Sequence, residues 1–195
     1  MISVSRLYCG TREGGDFLRF GRRGPAHARP VVVWNCTRQC NLHCAYCYSG
    51  SGEGPAPGEL TTCEGFALLD DLAHFGVPVV LFSGGEPLLR RDIFDLMSHA
   101  VSLGLRAVIS TNGTLVTERA AAQLREAGAS YVGVSLDGMG EANDALRGAE
   151  GAFEAALAGV RHCLAAGLKT GLRFTMTRRN VSELDAMFRL ARQEG

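Results

Sequence analysis

Five short runs of apolar, mostly β-branched residues recur along the chain from residue 31 onward, and they constrain the fold more than any other feature. The runs cover residues 31–34, 77–82, 105–110, 131–136 and 172–176. Continuous apolar runs of this length are typical of strands that are buried on both faces of a parallel sheet. Between them, apolar residues recur at the spacing of amphipathic helices. The alternation therefore predicts an α/β fold of five β–α units, with a parallel sheet and helices on its outside.

Several local signals place the helices and loops. Thr61 and Glu64 have the spacing of a capping box at the start of the first helix, and Thr117 has the position of an N-cap for a later helix. Gly128 is expected to end that later helix. The Gly- and Pro-rich residues 49–55 are interpreted as a tolerated surface insertion beside the site described below.

The chain divides just before its first apolar run. Residues 1–29 are rich in Gly and Arg, show no clear period and are predicted to form an N-terminal extension. Residues 30–195 contain all five β–α units and are predicted to form one domain, which is long enough to bury a substantial core.

The composition argues against several classes of function. The 195-residue sequence has 20 basic and 20 acidic residues, so no charge excess favours nucleic acid or an anionic membrane surface. No apolar run approaches the roughly 20 residues that span a bilayer, and residues 1–6 do not have the pattern of a signal peptide. We therefore predict a cytoplasmic protein, in a compartment where closely spaced cysteines more often bind metal than form disulfides.

Polar, Gly-rich turns follow the predicted strands. Gly84, Gly85 and Glu86 follow the second strand, Asn112 follows the third, and Ser135 lies near the end of the fourth. In parallel α/β folds, ligands bind at the carboxyl ends of the strands. The glycines would allow a ligand to approach the backbone closely; the alternatives are an ordinary turn with a solvated Glu86 and a local Asx turn at Asn112.

Cys40, Cys44 and Cys47 follow the first predicted strand with the spacing C-x-x-x-C-x-x-C. Thiolates this close along the chain can reach one metal centre. The spacing alone is compatible with an iron–sulfur cluster and with another metal or redox use, although a structural zinc site requires four ligands. Cys36 ends the same strand and is interpreted as a structural residue rather than as a fourth ligand.

Together, the cysteine motif and the Gly-Gly-Glu turn resemble the radical S-adenosylmethionine (SAM) superfamily. The aromatic Tyr46 before the last cysteine fits the same pattern. The resemblance implies an enzyme in which Cys40, Cys44 and Cys47 hold a [4Fe-4S] cluster and the remaining open iron binds SAM. The reduced cluster of such an enzyme cleaves SAM to a 5'-deoxyadenosyl radical.

The resemblance also implies which residues contact SAM. The Gly-Gly-Glu turn is similar to a motif that engages the SAM amino group, and the region of the fourth strand is similar to one in which a Ser and an Arg contact the carboxylate and ribose. An Arg suits a carboxylate because its planar guanidinium can bind both oxygens, although Arg147 could instead be a solvated cation at a helix end. The expected SAM-binding residues are Tyr46, Gly84, Gly85, Glu86, Asn112, Ser135 and Arg147. No residue is expected to act as a general acid or base.

Residues 2–11, 30–38 and 81–88 are similar to the haem-biosynthesis branch of this superfamily, which includes the 12,18-didecarboxysirohaem deacetylases. The similarity implies removal of acetate side chains from a tetrapyrrole substrate, with an electron donor such as ferredoxin or flavodoxin. Peptide-modifying radical SAM enzymes share the same core and are the alternative. A non-catalytic metal-binding module is an alternative of a different class.

The radical SAM core usually contains one more β–α unit than this sequence provides. The resemblance therefore implies an incomplete partial TIM-type barrel, truncated at its C-terminus and without the C-terminal region in which relatives carry an auxiliary cluster. We expect such a chain to hold the first cluster without converting a tetrapyrrole.

Overall fold

Five parallel strands form one sheet and follow one another in sequence order. The computed structural model describes residues 29–195, in which the strands are β1 (Val32–Thr37), β2 (Val79–Gly84), β3 (Arg106–Thr111), β4 (Tyr131–Ser135) and β5 (Thr170–Arg173). Each strand pairs in parallel with the next, so β1 and β5 are the edges of the described sheet. The predicted α/β architecture is confirmed as a partial barrel that does not close. The predicted N-terminal extension lies outside the described residues except for Arg29.

The helices alternate with the strands as expected. They are α1 (Thr62–Phe75), α2 (Ile93–Ser102), α3 (Glu118–Glu126), α4 (Gly140–Arg147), α5 (Ala152–Ala165) and α6 (Leu184–Glu194), with 3-10 turns at Pro87–Leu89 and Val181–Glu183. The capping box of Thr61 and Glu64 and the N-cap of Thr117 are confirmed. Helix α4 is short and mostly polar, and the sequence indicated it only through the alternative of a helix end at Arg147. None of these helices is long and apolar enough to cross a membrane.

The core lies between the sheet and the helices. On β1, Trp34 and Cys36 are buried, whereas Val33 on the opposite face is 53% exposed. Helix α1 packs closely on this strand at Gly65, where an added Cβ would lie 2.8 Å from Leu96 and 2.9 Å from Trp34. All of β5 is only half-buried. The expectation that strands are buried on both faces is therefore wrong for β1 and β5, which are the edges of the described sheet.

Replacing Leu96 by Ala tests the packing of α2 against the sheet. Leu96 is fully buried, so Leu96→Ala is expected to lower the free energy of unfolding by about 2–5 kcal/mol, through lost burial and the cavity left behind. The matched control is Leu103→Ala, since Leu103 directly follows the same helix and is 37% exposed. This control is expected to cost about 1 kcal/mol or less. Urea unfolding measures both values, and equal losses would contradict the placement of α2.

Candidate cofactor site

Loops at the carboxyl ends of the strands surround a cavity of about 210 Å³. All of the predicted site residues line it except Glu86, namely Cys40, Cys44, Tyr46, Cys47, Gly84, Gly85, Asn112, Ser135 and Arg147. Segments that are distant in sequence therefore meet at one place because the parallel strands all end at the same edge of the sheet.

The cysteine loop, residues 38–47, runs from the end of β1 along this cavity. Cys40 is buried, Cys44 is half-buried and Cys47 is exposed. The three thiols line the same cavity. Among residues 29–195, however, no three His, Cys, Asp or Glu side chains converge closely enough to hold one metal ion.

Residues 49–52 fold back onto the cysteine loop. Gly52 N donates a hydrogen bond to Arg38 O (3.0 Å), and Cys40 N donates to Gly52 O (2.8 Å). The Arg38 guanidinium also donates to Gly50 O (2.9 Å). The interpretation of this segment as a mere surface insertion is therefore wrong, because its backbone pairs with the loop that carries the cysteines.

The same segment surrounds the Cys47 thiol with hydrogen-bonding groups. Ser49 Oγ lies 3.2 Å from Cys47 Sγ, and Ser51 N donates to that sulfur at 3.5 Å. Burial raises the pKa of Cys47, but the hydrogen bonds from the two serines outweigh it and lower the pKa to about 7. A substantial thiolate fraction, the form that binds metals, is thus present near neutral pH. Sequence analysis missed both serines because their partner is set by the fold of the loop.

The turn after β2 packs directly against the start of the cysteine loop. Gly85 N donates to Thr37 O and Glu86 N donates to Gln39 O, both at 2.8 Å. An added Cβ would lie 2.1 Å from Thr37 O at Gly84 and 2.2 Å from Gln39 O at Gly85. Glycine was predicted here for the approach of a ligand; the observed close approach is between two segments of the chain itself.

Glu86 lies beneath the cavity and is fully buried. Its carboxylate accepts hydrogen bonds from Asn112 N (2.7 Å), Thr111 Oγ1 (2.8 Å) and Leu88 N (3.1 Å). Burial raises the pKa of Glu86 to about 7, although the hydrogen bonds act in the opposite direction. The alternative of a solvated Glu86 is wrong: its side chain ties the turn after β2 to the end of β3.

Arg147 lies between a buried carboxylate and a thiol. Its guanidinium forms an ion pair with Asp137, and its Nη1 lies 3.7 Å from Cys44 Sγ. Asp137 is fully buried and also accepts a hydrogen bond from Thr175 N (2.6 Å). The Arg147 side chain is only 11% exposed, so the alternative of a solvated cation is wrong. Asp137 was not among the predicted site residues, although its position just past β4, at the edge where the site lies, could have indicated it.

Two polar atoms of cavity-lining residues are buried without a hydrogen-bond partner among the described residues. They are the Tyr46 hydroxyl and Arg147 Nε. Burial and the nearby Asp137 carboxylate raise the pKa of Tyr46, so the hydroxyl remains a donor. Because buried polar groups are nearly always hydrogen-bonded, these two donors are suited to a polar ligand in the cavity.

Asn112 and Ser135 line the cavity from the ends of β3 and β4. Asn112 Oδ1 accepts a hydrogen bond from Thr114 N (2.9 Å), which is the Asx turn that the sequence allowed. Its amide Nδ2 donates to Asn41 Oδ1 (2.9 Å) and lies 4.0 Å from Cys40 Sγ. The Asx turn therefore orients the amide toward the cysteine loop, and the two interpretations of Asn112 are compatible.

Cys36 and Cys163 belong to the core rather than to the cavity. Cys36 is 1% exposed and its thiol donates to Ser83 O at 3.3 Å. Burial raises the pKa of Cys36 to about 12. Cys163 is fully buried in α5. Both positions suit structural residues, as expected for Cys36.

Residues 34–191 match the family model described as the radical SAM superfamily. The Fe-coproporphyrin III synthase of Methanosarcina barkeri is 52% identical over 204 residues, which cover 100% of this chain and 51% of that protein. The pre-heme d1 synthase of Dinoroseobacter shibae is 49% identical over 167 residues, 86% of this chain and 41% of that protein. The chain thus spans about half the length of the curated relatives it matches.

A solved structure supports the same fold. The structure of native anSMEcpe with bound AdoMet superimposes with a TM-score of 0.71 at 20% identity, covering 84% of this chain and 48% of that one. At this level of identity, the likeness shows that the two chains share the partial-barrel fold.

The buried Glu86 predicts a pH dependence of stability. Its pKa is raised from 4.5 to about 7 in the folded chain, so folding favours the protonated form. Stability from this group is fully present below about pH 4.5 and is lost as the pH rises to about 7, by about 3 kcal/mol in all. Glu86→Gln cannot ionise and should lack this component. Urea unfolding of both proteins across this range tests it, and parallel profiles would contradict the raised pKa.

Proposed function

Because the chain belongs to the radical SAM superfamily, we propose that it provides the SAM-cleaving part of an enzyme of haem-related biosynthesis. One observation carries this proposal: the three cysteines and nearly all of the expected SAM-binding residues line a single cavity. The cofactors of this family are a [4Fe-4S] cluster and SAM. When bound, the reduced cluster supplies the electron that cleaves SAM to methionine and a 5'-deoxyadenosyl radical.

Cys40, Cys44 and Cys47 are the proposed cluster ligands. A structural zinc ion needs four converging ligands, whereas the described side chains include no such group. The irons of a [4Fe-4S] cluster occupy separate corners, so thiols that line one cavity without converging on a point suit a cluster better than zinc. Arg147 Nη1 beside Cys44 Sγ also suits a cluster, since hydrogen bonds to the sulfurs tune its reduction potential.

The proposed SAM contacts follow from the same geometry. The unpartnered Arg147 Nε and Tyr46 hydroxyl suit the carboxylate and ribose oxygens of SAM, and Ser135 and Asn112 line the cavity beside them. The backbone of the Gly-Gly-Glu turn is the proposed contact for the amino group. Glu86 holds that turn in place, since its carboxylate is already engaged by three protein donors.

The substrate is proposed to be a tetrapyrrole. The relatives that are 52% and 49% identical are named for Fe-coproporphyrin III and pre-heme d1, which favours a tetrapyrrole over the alternative of a peptide. Removal of acetate side chains from didecarboxysirohaem is the proposed reaction. The electron donor is proposed to be ferredoxin or flavodoxin, in the cytoplasm.

Anaerobic reconstitution with iron and sulfide tests the cluster. The chain is expected to bind about four irons and to gain the visible absorption of a cluster. Cys40→Ala, Cys44→Ala and Cys47→Ala are each expected to abolish the cluster. Cys36→Ala and Cys163→Ala are the matched controls and should retain it, because both thiols lie in the core. A full cluster in Cys44→Ala would contradict the ligand assignment, and binding of one zinc instead would support the non-catalytic alternative.

Turnover of didecarboxysirohaem tests the reaction. With SAM and dithionite, the reconstituted chain is expected to form 5'-deoxyadenosine slowly but to leave the tetrapyrrole intact. A version extended to the length of its relatives should remove the acetate groups, since a closed site keeps water from reactive species. Mass spectrometry of the tetrapyrrole measures the outcome. Equal deacetylation by both versions would show that the additional region is dispensable, and none by either would argue against this substrate.

A further inference from the structure

One face of the sheet, which we call the open face, is not covered by helices. It is formed by the odd-numbered residues of β1, β2, β4 and β5 and by the even-numbered residues of β3, because side chains alternate between the two faces of a strand and the register sets which set lies on each face. The residues of the opposite face belong to the core beneath the helices, where Ala107 and Ile109 of β3 align with Val80 and Phe82 of β2. On β1, Val33 and Asn35 of the open face are exposed.

Within the described strands, the open face carries basic side chains and no carboxylate. Strands β1 to β5 contain no Asp or Glu. Arg106 and Arg173 lie on this face by the strand alternation, and Lys169 directly precedes β5 on the same side. The carboxylate that follows β4, Asp137, is already engaged by Arg147 and Thr175.

Arg173 is the cation nearest to the cofactor cavity along these strands. Its Nη1 donates a hydrogen bond to Ser110 Oγ at 2.8 Å, and it pairs in register with Ser135. Both serines line the cavity that contains the cysteines. The guanidinium lies across Gly133, where an added Cβ would be 2.2 Å from Arg173 Nε. Within residues 29–195, no carboxylate lies within salt-bridge distance of Arg173.

Apolar groups lie beside this cation on the same face. Val33, Leu81, Val108 and Tyr131 form one row across four strands in register. Tyr48 is 75% exposed, and its hydroxyl forms hydrogen bonds with Asn35 Oδ1 (3.2 Å) and Ser83 Oγ (3.0 Å) of the next row. An apolar surface with an aromatic ring and cations on the same face suits a flat molecule that has carboxylates at its rim.

We propose that Arg173 binds a carboxylate of the substrate and that the open face selects an anionic, flat substrate. This inference rests on the proposed function and extends it, because the macrocycle of a tetrapyrrole is flat and apolar and its side chains end in carboxylates. Arg173 provides the planar fork that matches a carboxylate. The hydrogen bond to Ser110 orients the guanidinium, and the absence of a side chain at Gly133 leaves room for it beside the cofactor cavity. A carboxylate bound by Arg173 would therefore place the substrate next to that cavity.

Binding of metal-free coproporphyrin III to the full chain tests this inference, without reconstitution. The metal-free macrocycle avoids coordination by cysteine or histidine, and its fluorescence reports the dissociation constant. Arg173→Met is expected to weaken binding about tenfold or more, the usual effect of losing one charge-assisted hydrogen bond. Arg173→Lys should retain part of the affinity. The matched control is Arg178→Met, which removes the same charge from an exposed position after β5 and should leave binding unchanged.

The fully esterified porphyrin separates charge recognition from apolar contact. Wild-type chain is expected to bind the ester at least about tenfold more weakly than the free acid, and only free-acid binding should weaken with added salt. These two comparisons use the wild-type chain, so they test the inference even if Arg173→Met does not fold. Equal binding of acid and ester, equal binding by the Arg173 and Arg178 variants, or no porphyrin binding would overturn the inference. Cluster formation and SAM cleavage are measured separately, so a failure here is distinguishable from failure of the proposed function.

Discussion

The close approach of two backbone segments, the start of the cysteine loop and the turn after β2, is the contact on which the rest of the site depends. Hydrogen bonds of 2.8 Å join Gly85 N to Thr37 O and Glu86 N to Gln39 O. Packing this close leaves no room for a Cβ at either glycine of the turn. The Glu86 carboxylate extends the connection to the end of β3 through Thr111 and Asn112. The start of the cysteine loop, which continues from β1, is therefore connected by hydrogen bonds to the ends of β2 and β3.

The sequence predicted the parallel sheet and the edge at which the site lies, because both follow from local patterns. Apolar runs, capping residues and polar turns each depend on a few neighbouring residues. The role of Glu86 could not be predicted in the same way, since its burial depends on donors that are 25 and 26 residues away. The same holds for Asp137, whose partner Thr175 is 38 residues away, and for Ser49 and Ser51, which reach Cys47 only because their segment folds back.

A continuous apolar run in the sequence does not show which residues of a strand pack against the helices and which face away from them, whereas the structure does. Alternate residues of each strand stabilise the fold against the helices, while the residues between them face away from the helices. A one-residue slip in pairing would exchange the two sets, because the side-chain period of a strand is two. In β5, such a slip would place Arg173 in the core and Leu172 beside Ser135. Packing of Leu172 against the core therefore places Arg173 on the open face, although Arg173 itself contributes little to the core.

Trp34 is an intrinsic fluorescence probe of the cysteine loop. It is the one Trp in the sequence, it is 9% exposed, and its ring packs 5.7 Å from that of Phe82 and 5.4 Å from the Arg90 guanidinium. It belongs to the strand that leads into the loop and lies six residues before Cys40. The intrinsic indole emission of the chain therefore arises at the base of this loop alone, so that a change in its wavelength reports rearrangement there.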